Sequence, residues 1–500
     1  MKHKKLLSLL LVGLLSCGIV GCNGEGTVSV EDLKIPTYQD AGEMLLRSDL
    51  PPNQADREQM LLYKDCGFNT VVLTEDFFKV NDVAGYIEDL KAYEEALESW
   101  DGNEATKPTE PIKPTYIQAL ELCEELEIDV FIRPHERDWN DLTNDNVSAN
   151  PESVVGKPNY FEKYLYNIDF RDYPAVKGFM VADEPTYGMV TDLQNRYVNW
   201  FNENYGGEDY ELFVNHFGPG STNFRDQYSE TKTYDEFITY YYDGFLSKLN
   251  QKTKVLSMDT YVLRNDGTNN FVHNSFLSSN LQMRKYADRF GVDYGGYIQC
   301  FTGYSNLREL TSYADFSFQV STYMAFGAKR LSFYGYRNWS TTDRTEIHLV
   351  AGGVEPNEKY YMAKDAISMI KKLDGVLYNF EWEGIYTNLG TGSFFDKNEA
   401  FDLISRDDLD GLNGVSSFKS KYDTIVGQFK DKDGNDGFML VNYEEPSVQH
   451  DNKVTMTFEN ADGVMYYRDG EPVVEGLANK TFTIDLEPGE GVFIIPLYKK

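Results

Sequence analysis

Two carboxylates stand side by side in the run Phe179-Met180-Val181-Ala182-Asp183-Glu184-Pro185. Four apolar residues precede them. Proline follows and cannot extend a ladder of backbone hydrogen bonds, so the acids mark the end of a buried strand. Adjacent side chains of a strand point to opposite faces. One of Asp183 and Glu184 is therefore expected to face a shared mouth and the other to brace a loop or helix. A carboxyl in a partly dry mouth near other acids has its pKa raised and can serve as a general acid. Asp259 follows Val255-Leu256-Ser257-Met258 in the same way and is the best second carboxyl. Other short β-rich runs also end in residues able to bind or ionise: Arg47 and Asp49, Glu75, His135 and Glu136, Asn215 and His216, Tyr261, Gln299, then Tyr334, Tyr336 and Arg337. Taken singly, each reads as a solvated loop residue. Taken together, they read as one polar rim.

The elements that must position these residues alternate regularly. Strands are predicted at Gly42–Arg47, Phe68–Thr74, Ile128–Arg133, Val176–Ala182, Tyr210–Val214, Lys254–Met258, Tyr294–Ile298 and Lys329–Phe333. Helices are predicted at Gln54–Cys66, Val83–Trp100, Tyr116–Leu126, Tyr160–Ile168, Asp192–Tyr205, Thr233–Asn250, Phe276–Phe290 and Ser312–Phe326. Such alternation implies a parallel sheet. Eight repeats over this length fit a (β/α)8 TIM barrel better than an open sheet, and a barrel of this kind carries its site at the C-terminal strand ends. No Gly-x-Gly-x-x-Gly follows the first strand, against a dinucleotide fold. After Leu377 helical periodicity stops. Short strands separated by Gly/Asp turns then suggest a C-terminal antiparallel β-sandwich. The resulting division is residues 1–21 signal peptide, 22–39 tether, 40–376 barrel and 377–500 sandwich. Asp431 to Gly437 is expected to form a hairpin tip rather than a calcium loop, because Asn442 occupies the twelfth position where Glu is needed.

Composition narrows the partners. The chain has 500 residues with a net charge of −33, which repels phosphate backbones and makes nucleic acid an unsuitable partner. Its 36 Tyr, 31 Phe and 5 Trp offer flat apolar faces of the kind that stack on sugars. The six His show no His-x-x-x-His spacing, and a zinc site needs three converging ligands, so no metal and no cofactor is expected. Cys66, Cys123 and Cys300 are scattered and read as buried reduced thiols. Met1 to Lys5 is basic and Leu6 to Val20 apolar, too short for a comfortable membrane span and suited to a secretory signal. Ile19-Val20-Gly21-Cys22 resembles a bacterial lipobox, which would leave Cys22 lipidated and the protein extracytoplasmic on the membrane surface; Leu15-Ser16-Cys17 is a second, earlier match.

Val181-Ala182-Asp183-Glu184-Pro185, Ser257-Met258-Asp259-Thr260-Tyr261 and Gly327 to Tyr334 together resemble the clan A (β/α)8 glycoside hydrolases and their β-galactosidase-like relatives. The resemblance is architectural and covers about residues 40–375. It implies an oligo- or polysaccharide substrate, with Glu184 as the acid/base. The clan usually has Asn before that Glu, where Asp183 stands here, and a nucleophilic Glu ending strand 7, where Gln299 stands. Asp259 is therefore the favoured partner, followed by Glu75 and Glu136. The remaining rim residues would hydrogen-bond or stack on sugar. The expectation is a surface-anchored glycoside hydrolase; the alternative is a glycan-binding lipoprotein whose barrel does not catalyse.

Overall fold

The computed structural model describes residues 27–74, 81–133, 169–302, 306–338, 347–352, 354–392, 399–404, 409–468 and 470–500. Eight parallel strands form one sheet: β1 (Leu45–Ser48), β2 (Thr70–Thr74), β3 (Asp129–Arg133), β4 (Val176–Asp183), β5 (Glu211–Phe217), β6 (Val255–Asp259), β7 (Asp293–Gln299) and β8 (Arg330–Tyr334). Their hydrogen-bonded order is β1-β8-β7-β6-β5-β4-β3-β2. Asn69 bridges the remaining seam between β1 and β2. Its N–H donates to the Leu46 carbonyl at 3.1 Å, and its Oδ1 accepts from the Leu46 N–H at 2.8 Å. The result is a (β/α)8 barrel.

Helices pack around it: α1 (Arg57–Cys66), α2 (Asn81–Glu98), α3 (Thr115–Glu125), α4 (residues 189–204), α5 (Tyr234–Gly244), α6 (Ser275–Phe290), α7 (Tyr313–Ala325) and α8 (Glu358–Leu377). Local chemistry sets their ends. The Asp56 carboxylate caps α1 by accepting from the Glu58 and Gln59 N–H groups, and Gly67, at φ 107°, stops it in the left-handed conformation that glycine adopts without strain. Thr233 and Glu236 form a reciprocal capping box at the start of α5. The helix expected at residues 160–168 lies outside the described residues.

Period-two alternation along the strands fills the barrel in layers. At the N-terminal end Arg330 of β8 reaches across to Glu211 of β5 through two charge-assisted hydrogen bonds. Above them Leu45, Val72, Phe131, Met180, Phe213 and Val255 form an apolar plug. Polar interior side chains above the plug gather toward the C-terminal rim, where the site must lie.

The C-terminal region is an antiparallel sandwich. Its larger sheet has the order β9 (Phe380–Asn388), β11 (Thr424–Asp431), β12 (Asp436–Asn442), β17 (Gly491–Lys499), β14 (Gly463–Arg468), β15 (Glu471–Gly476), and Leu33–Lys34 adds to β17. The smaller sheet is β10 (Val415–Ser420), β13 (Asn452–Phe458) and β16 (Thr481–Leu486). Val426, Phe438, Leu440, Met456, Phe482 and Ile494 make their shared core. The Asp431–Gly437 segment is the β11–β12 hairpin tip, with the Asp431 carboxylate accepting from the Asp433 and Asn435 N–H groups.

Helix α7 lies between barrel and sandwich and is buried from Ala314 to Ala325. Close approach is permitted by Gly427 of β11, where a Cβ would come within 2.0 Å of the Ala325 carbonyl oxygen. At the helix start the buried Arg308 bonds Asp315 at 2.5 Å and Glu445 of the sandwich at 2.6 Å. Among the described residues no helix is long and apolar enough to cross a membrane.

Candidate active site

A cavity of about 430 Å³ opens at the C-terminal rim of the barrel, within the size range of small-ligand sites. Strand β4 supplies its first two acids. A register irregularity between Met180 and Ala182 breaks the alternation of β4, so Asp183 rather than Ala182 falls on the inner face. Glu184 then leaves the strand at φ 52°, a conformation uncommon outside glycine, and its N–H donates to the Asn215 carbonyl at 2.8 Å. Both acids consequently line the cavity. The expectation that only one would face the mouth assumed an unbroken strand.

Asp259 ends β6 on the same wall, and its carboxyl is hydrogen-bonded to that of Glu184. Two carboxyls in such contact must share a proton. Burial, then the Glu184 charge, then the hydrogen bond itself push Asp259 well above the usual carboxylate range. Burial raises Glu184 too, opposed by the bond from Asp259. Of the two, the more deeply buried Asp259 carries the stronger upward push.

The other two acids are bound to arginines. Asp183 pairs with Arg133 of β3 at 3.5 Å and accepts from the Asn215 amide of β5 at 3.1 Å. Asp49 pairs with Arg47 of β1 at 3.2 Å and accepts from the Tyr297 hydroxyl of β7. Arg47 lies on the barrel axis just under the cavity, 4.7 Å from the Phe213 ring centre, and also donates to Tyr297. Burial still raises the Asp49 carboxyl despite this cation.

The opposite wall is aromatic. Tyr261, Phe301 and Tyr334 sit edge to face or tilted, with ring centres 4.9, 5.0 and 5.7 Å apart. Arg264 and Leu307 complete it. Among the described residues no group of three or more His, Cys, Asp or Glu side chains could hold a metal ion.

No family model matches the sequence, and no curated protein matches it. Solved structures of related shape are glycoside hydrolases. A family 39 glycoside hydrolase from Bacteroides cellulosilyticus WH2 aligns with TM-score 0.47 and 12% identity over 92% of this chain and 83% of its own. A family 5 glycoside hydrolase from Bacteroides vulgatus aligns with TM-score 0.47 and 11% identity over 95% and 94%. A β-L-arabinopyranosidase from Geobacillus stearothermophilus aligns with TM-score 0.44 and 9% identity over 92% and 96%. Similarity of that degree assigns neither reaction nor substrate.

Of the residues singled out in the sequence, Asp49, Asp183, Glu184, Asn215, Asp259, Tyr261 and Tyr334 line the cavity, and Arg47 supports its floor. The others are placed elsewhere. His216 is one residue out of phase with Asn215. Its ring turns outward against Tyr241, 4.3 Å between centres, and burial lowers its pKa to about 3. Gln299 braces a loop, its amide bonding the Leu263 N–H at 3.0 Å and carbonyl at 3.2 Å. Tyr336 is buried in the helix layer against Tyr63, and Arg337 donates to the Pro51 carbonyl at 2.7 Å. Glu75, His135 and Glu136 lie outside the described residues, as does Cys22. Four cavity residues escaped the strand-end search. Tyr297 is an interior position that strict alternation would have found; Phe301, Arg264 and Leu307 lie outside the barrel strands with no local signal.

Proposed function

We propose that this protein is a glycoside hydrolase of the extracytoplasmic surface, tethered through lipid on Cys22 and acting on an oligo- or polysaccharide. The observation that carries the reading is the hydrogen-bonded carboxyl pair of Glu184 and Asp259 in a cleft lined by further acids and by aromatic rings. Hydrolysis of a glycosidic bond needs a proton for the leaving oxygen and a carboxylate near the anomeric carbon or its attacking water. Glu184 is the less deeply set of the pair and is the group that meets the glycosidic oxygen. Asp259 is the partner carboxyl, left ionised when the shared proton passes through Glu184 to the leaving oxygen. The aromatic wall offers flat faces to the sugar ring.

Retaining enzymes hold their carboxyls about 5–5.5 Å apart and inverting enzymes about 6.5–9.5 Å. Glu184 and Asp259 are instead in direct hydrogen-bonded contact. Substrate must therefore enter between them and part them, replacing their mutual bond by bonds to its own oxygen. The same contact is the observation that favours a second reading, a glycan-binding protein in which the pair only receives sugar hydroxyls.

One experiment decides between them: the mature protein and its Glu184→Gln variant on a glycan panel and on aryl glycosides. The hydrolase reading expects a loss of ~10²–10⁴-fold on substrates with poor leaving groups, since a positioned general acid supplies that much. Activated phenolate leaving groups should be largely spared. Glycan binding without hydrolysis by the parent protein, weakened in Glu184→Gln, gives the binding reading.

A further inference from the structure

The cleft holds one cation that the acids do not use. Arg47 is bound to Asp49 and Arg133 to Asp183. Arg264 lines the same cavity, and among the described residues its guanidinium bonds only the Tyr261 carbonyl, 3.4 Å from both Nε and Nη2. No carboxylate among the described residues pairs with it. A half-buried guanidinium with most of its donors unspent has lost hydration that the fold does not replace. Its field is felt locally: burial, and then the Arg264 charge, push His273 below its ordinary pKa.

The backbone that presents Arg264 is tied on every side. It lies in a hairpin of Leu263–Asn265 with Asn270–Val272. Gln299 clamps the Leu263 N–H and carbonyl, and the Arg308 N–H adds a second bond to that carbonyl at 3.0 Å. Asn265 N–H donates to the Asn306 carbonyl at 2.8 Å, and Arg264 itself bridges to Leu307. Nothing in this arrangement neutralises the guanidinium. All of it holds the side chain at the aromatic wall beside Tyr261 and Phe301.

We infer that Arg264 is a specificity-determining residue that receives an anionic group, carboxylate or sulfate, on the sugar bound in the cleft, so that the substrate is an acidic glycan. The inference rests on the reading of this cleft as a sugar site. A planar fork of N–H donors matches a carboxylate or sulfate through two parallel bonds, and a charged acceptor replaces the water the guanidinium loses on burial. The acids of the cleft do not oppose this. Two carry their own arginine, and Glu184 and Asp259 share a proton, so the added anion meets one net negative charge across the cavity rather than four.

The test compares matched 4-nitrophenyl glycosides in both anomeric forms: glucose and galactose, their uronic acids, and their 6-O-sulfates. The parent protein should prefer one acidic series. Arg264→Gln should lower kcat/KM for that series ~10–100-fold more than for the neutral sugars, chiefly through KM, as expected for a lost charge-assisted pair. Arg264→Lys should fall between, and raised salt should weaken the preference. Preference for uronic acids names the carboxylate and preference for sulfates names the ester. Neutral sugars favoured, or acidic and neutral sugars affected alike by Arg264→Gln, overturns the inference while leaving the hydrolase in place. Calorimetric titration of Glu184→Gln with a uronic acid oligosaccharide and its carboxyl-reduced form covers the opposite case. Arg264-dependent binding of the acidic form, with no hydrolysis by the parent, keeps the inference and removes the hydrolase. No difference between the two forms in titration, with nothing hydrolysed, removes both.

Discussion

Replacing Arg47 by methionine should expose the electrostatic cost of the floor beneath the cleft. Its side chain is 3% exposed and that of Asp49 9%, so neither charge has water to fall back on. Methionine fills much of the same volume but removes the bond to Asp49, the bond to Tyr297 and the contact with the Phe213 face. Breaking a buried pair by deleting one partner costs about 3–5 kcal/mol, because the other charge is left uncompensated. That cost depends on pH in a definite direction. Burial already raises the Asp49 carboxyl with Arg47 present, and Arg47→Met raises it further. A carboxyl raised in the fold contributes full stability below its unfolded pKa of about 4 and loses it as pH climbs toward the folded value. Arg47→Met should therefore be mild near pH 4 and approach its full cost by pH 8. In Arg47→Met/Asp49→Asn the pH dependence should vanish and most of the loss be recovered. Guanidinium unfolding followed by tryptophan fluorescence at several pH values measures all three proteins. A cost under about 1 kcal/mol at pH 8, or a pH-independent cost that the second substitution does not relieve, would show that the floor is held by packing rather than by charge.

Two further outcomes are expected. Burial raises the carboxyl of Asp192, on α4, to about 6, against an unfolded value near 4. It thus withholds about 3 kcal/mol of stability above pH 6 that is present below pH 4. Asp192→Asn should gain that amount at neutral pH, and unfolding midpoints of parent and variant should converge as pH falls. At the N-terminus, Cys22→Ala protein expressed in a bacterial host should leave the membrane fraction; release by Cys17→Ala instead would put the lipid on the earlier cysteine.

The strands of the barrel were readable because most are short apolar runs that recur between helical stretches; Thr70-Val71-Val72-Leu73-Thr74 reads only one way. In the sandwich, β9, β10 and β15 were missed. Their exposed faces carry Glu381, Glu383, Ser416, Lys419 and Glu471, which blur the hydrophobic signal. For the site, strand ends located the rim but not the phase of each strand around it. His216 and Asn215 are adjacent, and only the inner position of Phe213 decides that Asn215 faces in. Glu184 reaches the cavity through a left-handed backbone that its side chain does not announce. Gln299 looked like a rim residue because it ends β7, yet the nearby Leu263 peptide takes its amide. Arg264 owes its place to a hairpin whose position is set by contacts distant in sequence.

That hairpin has two landlords. Gln299 fixes it from the barrel, while Arg308, which bonds Leu263, is itself held by Glu445 of the sandwich, and Asn270 bonds Ser447 there at 2.9 Å. The acids at the ends of β4 and β6 have no such tie among their described bonds. On the proposed reading, the groups for proton chemistry and for sugar selectivity thus have separate supports. A change at Glu445 or Ser447 is expected to shift the guanidinium while leaving the described bonds of the acid pair intact. For anyone engineering the cleft, the sandwich is therefore a handle on the aim of the guanidinium, reached without touching the acids.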